Sequence, residues 1–259
     1  MEHLPRPKVS VITITFNRED FIGEAIESVL AQSYKDWELL IIDDASTDNT
    51  KSIVQAFIDK DPRIKYFKND ANLGIARSRN KGLDLSQGKY IAPLDSDDIW
   101  LNNEKLQKQV DFLDKNLDYA MLGGGIIHID RGSRQMKKVL FPVYDSIIRN
   151  IILQYNPFPQ STLMYRKNIA LKCGGYSTDY TVCDDYDLWL KMGTKQKFTN
   201  IPQVLAGYRV HGGNITHNKR LTTAKEILQI VKLNMKNYKR PYLGLMKAYI
   251  RLILSYARS

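Results

Sequence analysis

The sequence predicts an α/β protein built on a central, mostly parallel, doubly wound sheet. β-Branched runs alternate with segments of helical period through the first hundred residues, the spacing of successive βαβ units. One run, Trp37-Glu38-Leu39-Leu40-Ile41-Ile42, is nearly continuous in apolar residues, which suits a strand buried on both faces. Acidic clusters follow two of the runs, and open α/β sheets bind ligands at the carboxyl ends of their strands.

The elements follow in order. Val9 to Ile14 is a strand ending at the polar Thr15-Phe16-Asn17. From about Glu19 to Gln32, Phe21, Ile22, Ala25, Ile26, Val29 and Leu30 share one helical face. The Trp37 strand then leads into Asp43-Asp44-Ala45-Ser46. A helix over about Asn49 to Lys60, a strand Ile64 to Phe67 and a helix from about Gly74 to Leu85 come next. A strand Tyr90 to Leu94 runs into Asp95-Ser96-Asp97-Asp98. Beyond about Asn102 the pattern is less regular. A helix to about Asn116, a Gly-rich strand around Met121 to Ile129 with a hairpin through Arg131-Gly132, a helix opening near Asp184 and a strand Val204 to Val210 are expected.

Composition excludes several classes. The 259 residues are 43% hydrophobic and 25% charged, too apolar for a disordered chain. No apolar run is long enough to cross a bilayer, and Met1 to Pro7 lacks the pattern of a secretory leader, so a cytoplasmic location is expected. Two cysteines, Cys173 and Cys183, supply neither a disulfide framework nor a four-ligand zinc site, and free thiols are expected. The formal charge of +10 is concentrated in one place. Thr216 to Ser259 holds ten basic side chains and one acid, Glu226, whereas the preceding 215 residues hold 28 basic and 27 acidic ones.

That tail has helical period. Ile227, Ile230, Val231 and Met235 make one apolar stripe, and Pro241 breaks the run. Afterwards Tyr242, Leu245, Met246, Tyr249, Ile250, Ile253 and Leu254 alternate with Lys247, Arg251 and Arg258. Two readings stand: a basic amphipathic helix in peripheral contact with an anionic membrane surface, or two helices packing on the body. No zinc-finger or RNP-type motif accompanies the charge, so no nucleic-acid partner is expected.

Three carboxylates within four residues are costly without a cation, since two such charges about 4 Å apart repel by about 4 kcal/mol at an effective dielectric of 20. Strand-end carboxylates are hard ligands suited to Mg²⁺ or Mn²⁺. Each acidic cluster alone is also compatible with a turn or a helix cap.

Together with other segments in the same order, these clusters resemble the family 2 glycosyltransferases of the GT-A fold. The resemblance covers about residues 8–212. It rests on Val9-Ser10-Val11-Ile12, Phe16-Asn17, Ser28 to Tyr34, Trp37 to Asp48, Asn72-Leu73-Gly74, Ser78 to Gly82, Asp95 to Asp98, Asp184 to Leu190 and Tyr208-Arg209-Val210-His211.

The resemblance implies an inverting, metal-dependent transfer of a hexose-type sugar from a nucleotide-diphospho-sugar to a hydroxyl of a saccharide or lipid-linked saccharide, as in bacterial surface polysaccharide synthesis. It implies metal ligation by Asp97, with Asp95 and His211 as further candidates. Thr13, Ile14, Thr15, Asn17 and Asp44 would form the nucleotide pocket. A carboxylate at Asp44 suits the imide N–H of uracil, hence a UDP-sugar donor. Asp95 and Ser96 would face the sugar and ribose, and Arg77 or Arg79 the diphosphate. The acidic pair reads Asp184-Asp185 where Glu-Asp is commoner, with Asp185 the general base and Asp184 second to it. Trp100 and Trp189 fit either a sugar site or the core, and Gly212-Gly213-Asn214 fits a mobile lid.

The expected organisation is a catalytic domain over residues 1–215, its nucleotide-sugar half about 8–100 and acceptor half about 101–215, followed by a helical extension over 216–259. A nicotinamide-dependent enzyme of Rossmann type is excluded, because no glycine precedes Gly23 after the first strand. A rival of another class is an inactive GT-A-fold scaffold subunit.

Overall fold

The computed structural model describes residues 6–257. The first half is a regular alternation: β1 (Val9–Thr15), α1 (Ile22–Leu30), β2 (Trp37–Asp43), α2 (Thr50–Ile58), β3 (Ile64–Lys68), α3 (Ile75–Leu85) and β4 (Tyr90–Pro93). These strands pair in parallel in the order β3-β2-β1-β4. All seven β2 residues are buried, as its continuous apolar run requires. Side chains of β1 alternate between two cores. Val9 and Val11 pack with α1 on one face, and Ile12 packs on the other beneath α3. There Gly82 lets α3 lie on the sheet, since a Cβ at that position would sit 2.6 Å from the Ile12 Cγ2.

The second half comprises β5 (Ile99–Trp100), α4 (Lys105–Lys115), β6 (Tyr119–Ile129), β7 (Gln135–Val139), α5 (Asp145–Ile151) and a 3-10 turn at Gln160–Thr162. It continues with β8 (Met164–Arg166), α6 (Lys167–Lys172), α7 (Asp184–Gly193), β9 (Lys197–Arg209), α8 (Ile215–Asn218), α9 (Arg220–Asn234) and α10 (Pro241–Tyr256). β8 joins β4 antiparallel, and the sheet then runs on through β6, β9 and β5, with β7 hairpinned onto β6. The longest pairing of this half, β6 with β9, is again parallel.

Two boundaries differ from expectation for a physical reason. β9 begins at Lys197 rather than near Val204, because its first residues pair in register with β6 from Tyr119 onward. Thr199 and Asn200 lie in that stretch and carry no apolar signal, although both are buried. α1 begins at Ile22 rather than near Glu19; the preceding Arg18 and Glu19 donate their backbone N–H groups to Thr50 Oγ1 and Asp48 Oδ2, which holds the segment on the β2 loop and the start of α2.

Residues 216–257 are fastened to the second half of the fold. Ile230 and Tyr238 belong to the core that holds Trp189 and Phe198, and the Tyr238 hydroxyl donates to the Leu190 carbonyl at 2.6 Å. The Glu226 carboxylate accepts the backbone N–H groups of Thr181, Val182 and Cys183 at 2.7, 3.0 and 2.9 Å, on the approach to α7. Packing on the body is therefore realised for α9. The outer face of α10 is different: Tyr242, Met246, Tyr249, Ile250, Ile253 and Leu254 are all exposed. No helix among the described residues is long and apolar enough to cross a membrane.

Candidate active site

The carboxyl ends of β1, β2 and β4 meet at a cavity of about 600 Å³. Ile14, Thr15, Asp44, Arg79, Asp95, Ser96, Asp97 and Asp185 line it, so most of the expected site residues converge on one place. Thr15 is 1% exposed and its hydroxyl has no hydrogen-bond partner. Such an orphaned polar atom at a cavity wall awaits a ligand or water. The amide oxygen of Gln160, which also lines the cavity, is in the same condition.

Other expected residues serve the frame. Thr13 is buried inside β1. Asn17 adopts φ 51° and its side-chain oxygen accepts the Thr47 N–H at 2.8 Å, which ties the β1 loop to the β2 loop. Arg77 is exposed on α3 and lies outside the cavity lining. Trp100 and Trp189 are core residues, 3% and 0% exposed; the Trp100 indole donates to the Ser161 carbonyl, and Trp189 packs on Tyr165.

Asp44 is already engaged. Its Oδ1 accepts from Asn69, Ser78 and the Leu73 N–H, and its Oδ2 from the Gly74 N–H at 2.9 Å. It thereby folds the turn that starts α3, where Gly74 at φ 87° takes a conformation open to glycine. Oδ2 carries one of these four bonds and keeps acceptor capacity on the cavity side of the count.

The acidic loop after β4 is anchored from behind. Asp95 N–H donates to Ser161 Oγ, Ser161 Oγ donates to Asp98 Oδ2 at 2.6 Å, and Asp98 Oδ1 accepts the Arg209 N–H. Fully buried Arg209 donates to the Asp97 carbonyl at 2.7 Å and to Glu24 on α1. Asp98 is thus an internal strut, and Asp97 points the other way. Its Oδ2 lies 2.9 Å from His211 Nε2 and 3.5 Å from Arg18 Nε. His211 Nδ1 accepts the Gly213 N–H, so in a neutral ring Nε2 carries the proton and donates to Asp97. In this arrangement His211 backs Asp97. The segment expected as a lid, through Gly213 and Asn214, forms part of the cavity wall.

Among the described residues no three His, Cys, Asp or Glu side chains converge as a closed metal cage. Mg²⁺ and Mn²⁺ sites of nucleotide enzymes typically take one or two carboxylates and complete their shell with phosphate oxygens and water. Asp97 and Asp95, both facing the cavity, fit that pattern. Mutual charge supports it too: burial and then the neighbouring Asp97 and Asp184 push Asp95 up to about 6, against the pull of Arg79.

Arg79 does something the sequence did not signal. Its Nη1 donates to both Asp184 oxygens at 2.9 Å, and its Nη2 reaches Asp95 at 3.4 Å. Burial works against its charge, but Asp184, Asp95 and Asp185 more than offset that and raise its pKa. The guanidinium joins the loop after β4 to the start of α7. Asp184 is consequently 0% exposed and committed, while half-buried Asp185 is left facing the cavity. Arg18, Gln160 and Ser161 were likewise missed, because each acts across 60 or more residues or as a single polar residue in a loop. Only Arg18 had a usable signal, its place directly after the β1 end.

This geometry places a carboxylate pair, an acidic loop and an anion-sized cavity at the switch point of a βαβ sheet. A family model described as glycosyl transferase family 2 matches residues 10–178, most of the fold. The chain is a family 2 glycosyltransferase. This glycosyltransferase is 34% identical over 224 residues to the putative teichuronic acid biosynthesis glycosyltransferase TuaG of Bacillus subtilis, covering 83% of each chain. It is 34% identical over 217 residues to the Escherichia coli UDP-Glc:alpha-D-GlcNAc-diphosphoundecaprenol beta-1,3-glucosyltransferase WfaP, with 82% and 80% covered. Among solved structures, a fragment of S. aureus TarS superposes with a TM-score of 0.72 at 21% identity, over 97% of this chain and 73% of that one. A mannosyltransferase from Pyrobaculum calidifontis, in complex with GDP-Man and Mn²⁺, gives 0.69 at 20% identity, over 98% and 76%. The glycosyltransferase has the GT-A fold.

Arg79→Ala should strip buried Asp184 of its counter-charge and cost about 3–5 kcal/mol. Adding Asp184→Asn should recover a large part of that loss in the double variant, read by thermal melts as a coupling. Additive losses in the two variants would show that the pair does not hold the halves together.

Proposed function

We propose that the enzyme moves a sugar from a UDP-sugar to a hydroxyl of a lipid-linked saccharide, with inversion, in assembly of a bacterial surface polysaccharide. The observation that carries this reading is that Asp185 and the Asp95–Asp97 loop face one cavity, with Asp185 prepared to accept a proton. Burial first, and then the charge of Asp184, push Asp185 up to about 7, although Arg79 pulls the other way. A base with a pKa near the working pH combines availability with driving force.

The donor would lie along the β1 and β2 ends, its base near Thr15 and Asp44 and its diphosphate over Asp97 and Asp95. Mg²⁺ or Mn²⁺ bound there supplies Lewis-acid neutralisation of the diphosphate leaving group. Arg18, now on Asp97, is placed to exchange that carboxylate for a phosphate oxygen. The acceptor hydroxyl gives its proton to an Asp185 oxygen as its own oxygen attacks the anomeric carbon opposite the departing diphosphate. One displacement inverts the configuration. Support for uridine comes from the name of the E. coli relative and from the S. aureus fragment, which has also been solved in complex with UDP. The same relative's name motivates the lipid-linked acceptor. The exposed apolar face of α10, set in a tail of ten basic residues and one acid, suits peripheral contact with an anionic membrane on the cytoplasmic side.

Calorimetric titration tests the donor half. UDP should bind in Mn²⁺, weaken at least tenfold in EDTA, and weaken similarly in Asp97→Ala; tighter binding of GDP would reassign the donor. Asp185 acts only when ionised, so kcat/KM should fall about tenfold per pH unit below about 7, and Asp185→Asn should lose about 10²–10⁴-fold in rate. An acidic limb near pH 4 would point to a different base. Vesicles rich in phosphatidylglycerol should pellet the enzyme at low salt, and replacing Ile250 and Ile253 by Ser should release it. Equal sedimentation with zwitterionic vesicles would remove the electrostatic argument.

A further inference from the structure

A second cavity of about 180 Å³ adjoins the first, and Asn156, Val182 and Asp185 line both. Asp185 therefore stands at the junction. With a nucleotide-sugar in the larger cavity, the smaller one offers a hydroxyl a path to Asp185. The far wall of that cavity is formed by Gln154, Thr223 on α9 and Arg251 on α10.

Arg251 is half-buried there, and its guanidinium makes no hydrogen bond or ion pair with the described residues. A half-buried guanidinium that engages no protein acceptor keeps its donor fork open to an anion. Its neighbourhood on the two helices offers no carboxylate: Glu226 is the one acid of the segment, and its oxygens are spent on three backbone N–H groups. One turn before Arg251, Lys247 finds only the neutral amide oxygen of Gln154, at 2.8 Å. The remaining carboxylate of the cavity, Asp185, is the proposed base. Beyond Arg251 the α10 surface is apolar, with Ile250, Ile253 and Leu254 exposed.

We infer that this second cavity is an acceptor subsite for a phosphate ester, with Arg251 as its anion-binding residue. The order along the protein is a hydroxyl at Asp185, a phosphate at Arg251 and an apolar chain over α10. A guanidinium fork matches two phosphate oxygens at once, which fixes the distance from the anion to the reacting hydroxyl as well as the affinity. The inference rests on the reading of Asp185 as the acceptor-side base and adds the chemical class that accompanies the hydroxyl.

The test uses full-length enzyme saturated with UDP and Mn²⁺, so that the larger cavity is filled. N-acetylglucosamine 1-phosphate and N-acetylglucosamine are titrated as the phosphorylated and unphosphorylated probes. Wild type should bind the phosphate ester at least tenfold more tightly than the free sugar. Arg251→Gln should erase that preference and leave UDP affinity unchanged, which also certifies folding. No preference in wild type, or an undiminished one in Arg251→Gln, overturns the subsite. Phosphatidylglycerol vesicles separate the two sources of phosphate. If Arg251→Gln loses vesicle binding but keeps the preference for the sugar phosphate, the guanidinium serves a lipid surface and the subsite is wrong. Asp185→Asn should keep the preference while losing turnover. If it keeps turnover instead, the base assignment fails and the binding result still stands or falls alone.

Discussion

One buried cation organises the catalytic half of this enzyme. Arg79 leaves the second turn of α3, in the first half of the fold, and closes on Asp184 at the first turn of α7, in the second half. A second carboxylate, Asp95, completes the contact from the loop after β4. These two carboxylates and a third at Asp185 can share so small a volume because one guanidinium spreads positive charge among them. Without it, Coulomb repulsion and desolvation would protonate the acids or push the halves apart. The same cation sets the division of labour in the acidic pair. Asp184 is consumed by it, and Asp185, one residue on, projects to the cavity with a raised pKa.

A second buried arginine does the corresponding work behind the acidic loop. Arg209 at the end of β9 reaches the Asp97 carbonyl, the hairpin residues Asp130, Arg131 and Ser133, and Glu24. Asp98 meets the Arg209 backbone and Ser161. The loop is thus held on the protein side by these hydrogen bonds, while the Asp95 and Asp97 side chains line the cavity. Preorganisation of this kind lets a site stabilise developing charge without reordering itself during the reaction.

Much of this was visible in the chain. β1 to β4 and their helices were legible because their burial has a strong period: β2 is apolar on both faces and β1 alternates. The acidic clusters were legible because they sit at strand ends. What the sequence hid were contacts spanning many residues. Arg79 looked like a diphosphate ligand since nothing local shows that Asp184, more than a hundred residues away, is its partner. Ser161, Gln160 and Glu226 are single polar residues without a motif. Asn17 and Thr13 fall within the family pattern and yet serve the frame, since a sequence pattern does not separate a loop clamp from a ligand contact. The early part of β9 was invisible because Thr199 and Asn200 are buried polar residues.

The Glu226 contact changes how the C-terminal helices should be handled. Its carboxylate receives the three N–H groups of the segment that delivers the chain into α7, so α9 acts as a brace for the acidic pair as well as a platform for α10. Shortening the chain at residue 216 would therefore loosen the acidic pair as well as remove α10, so lost activity in such a truncation says nothing about membranes. A chimera that borrows these helices from a relative must bring an acid to position 226, or the segment entering α7 loses the acceptor for three of its N–H groups.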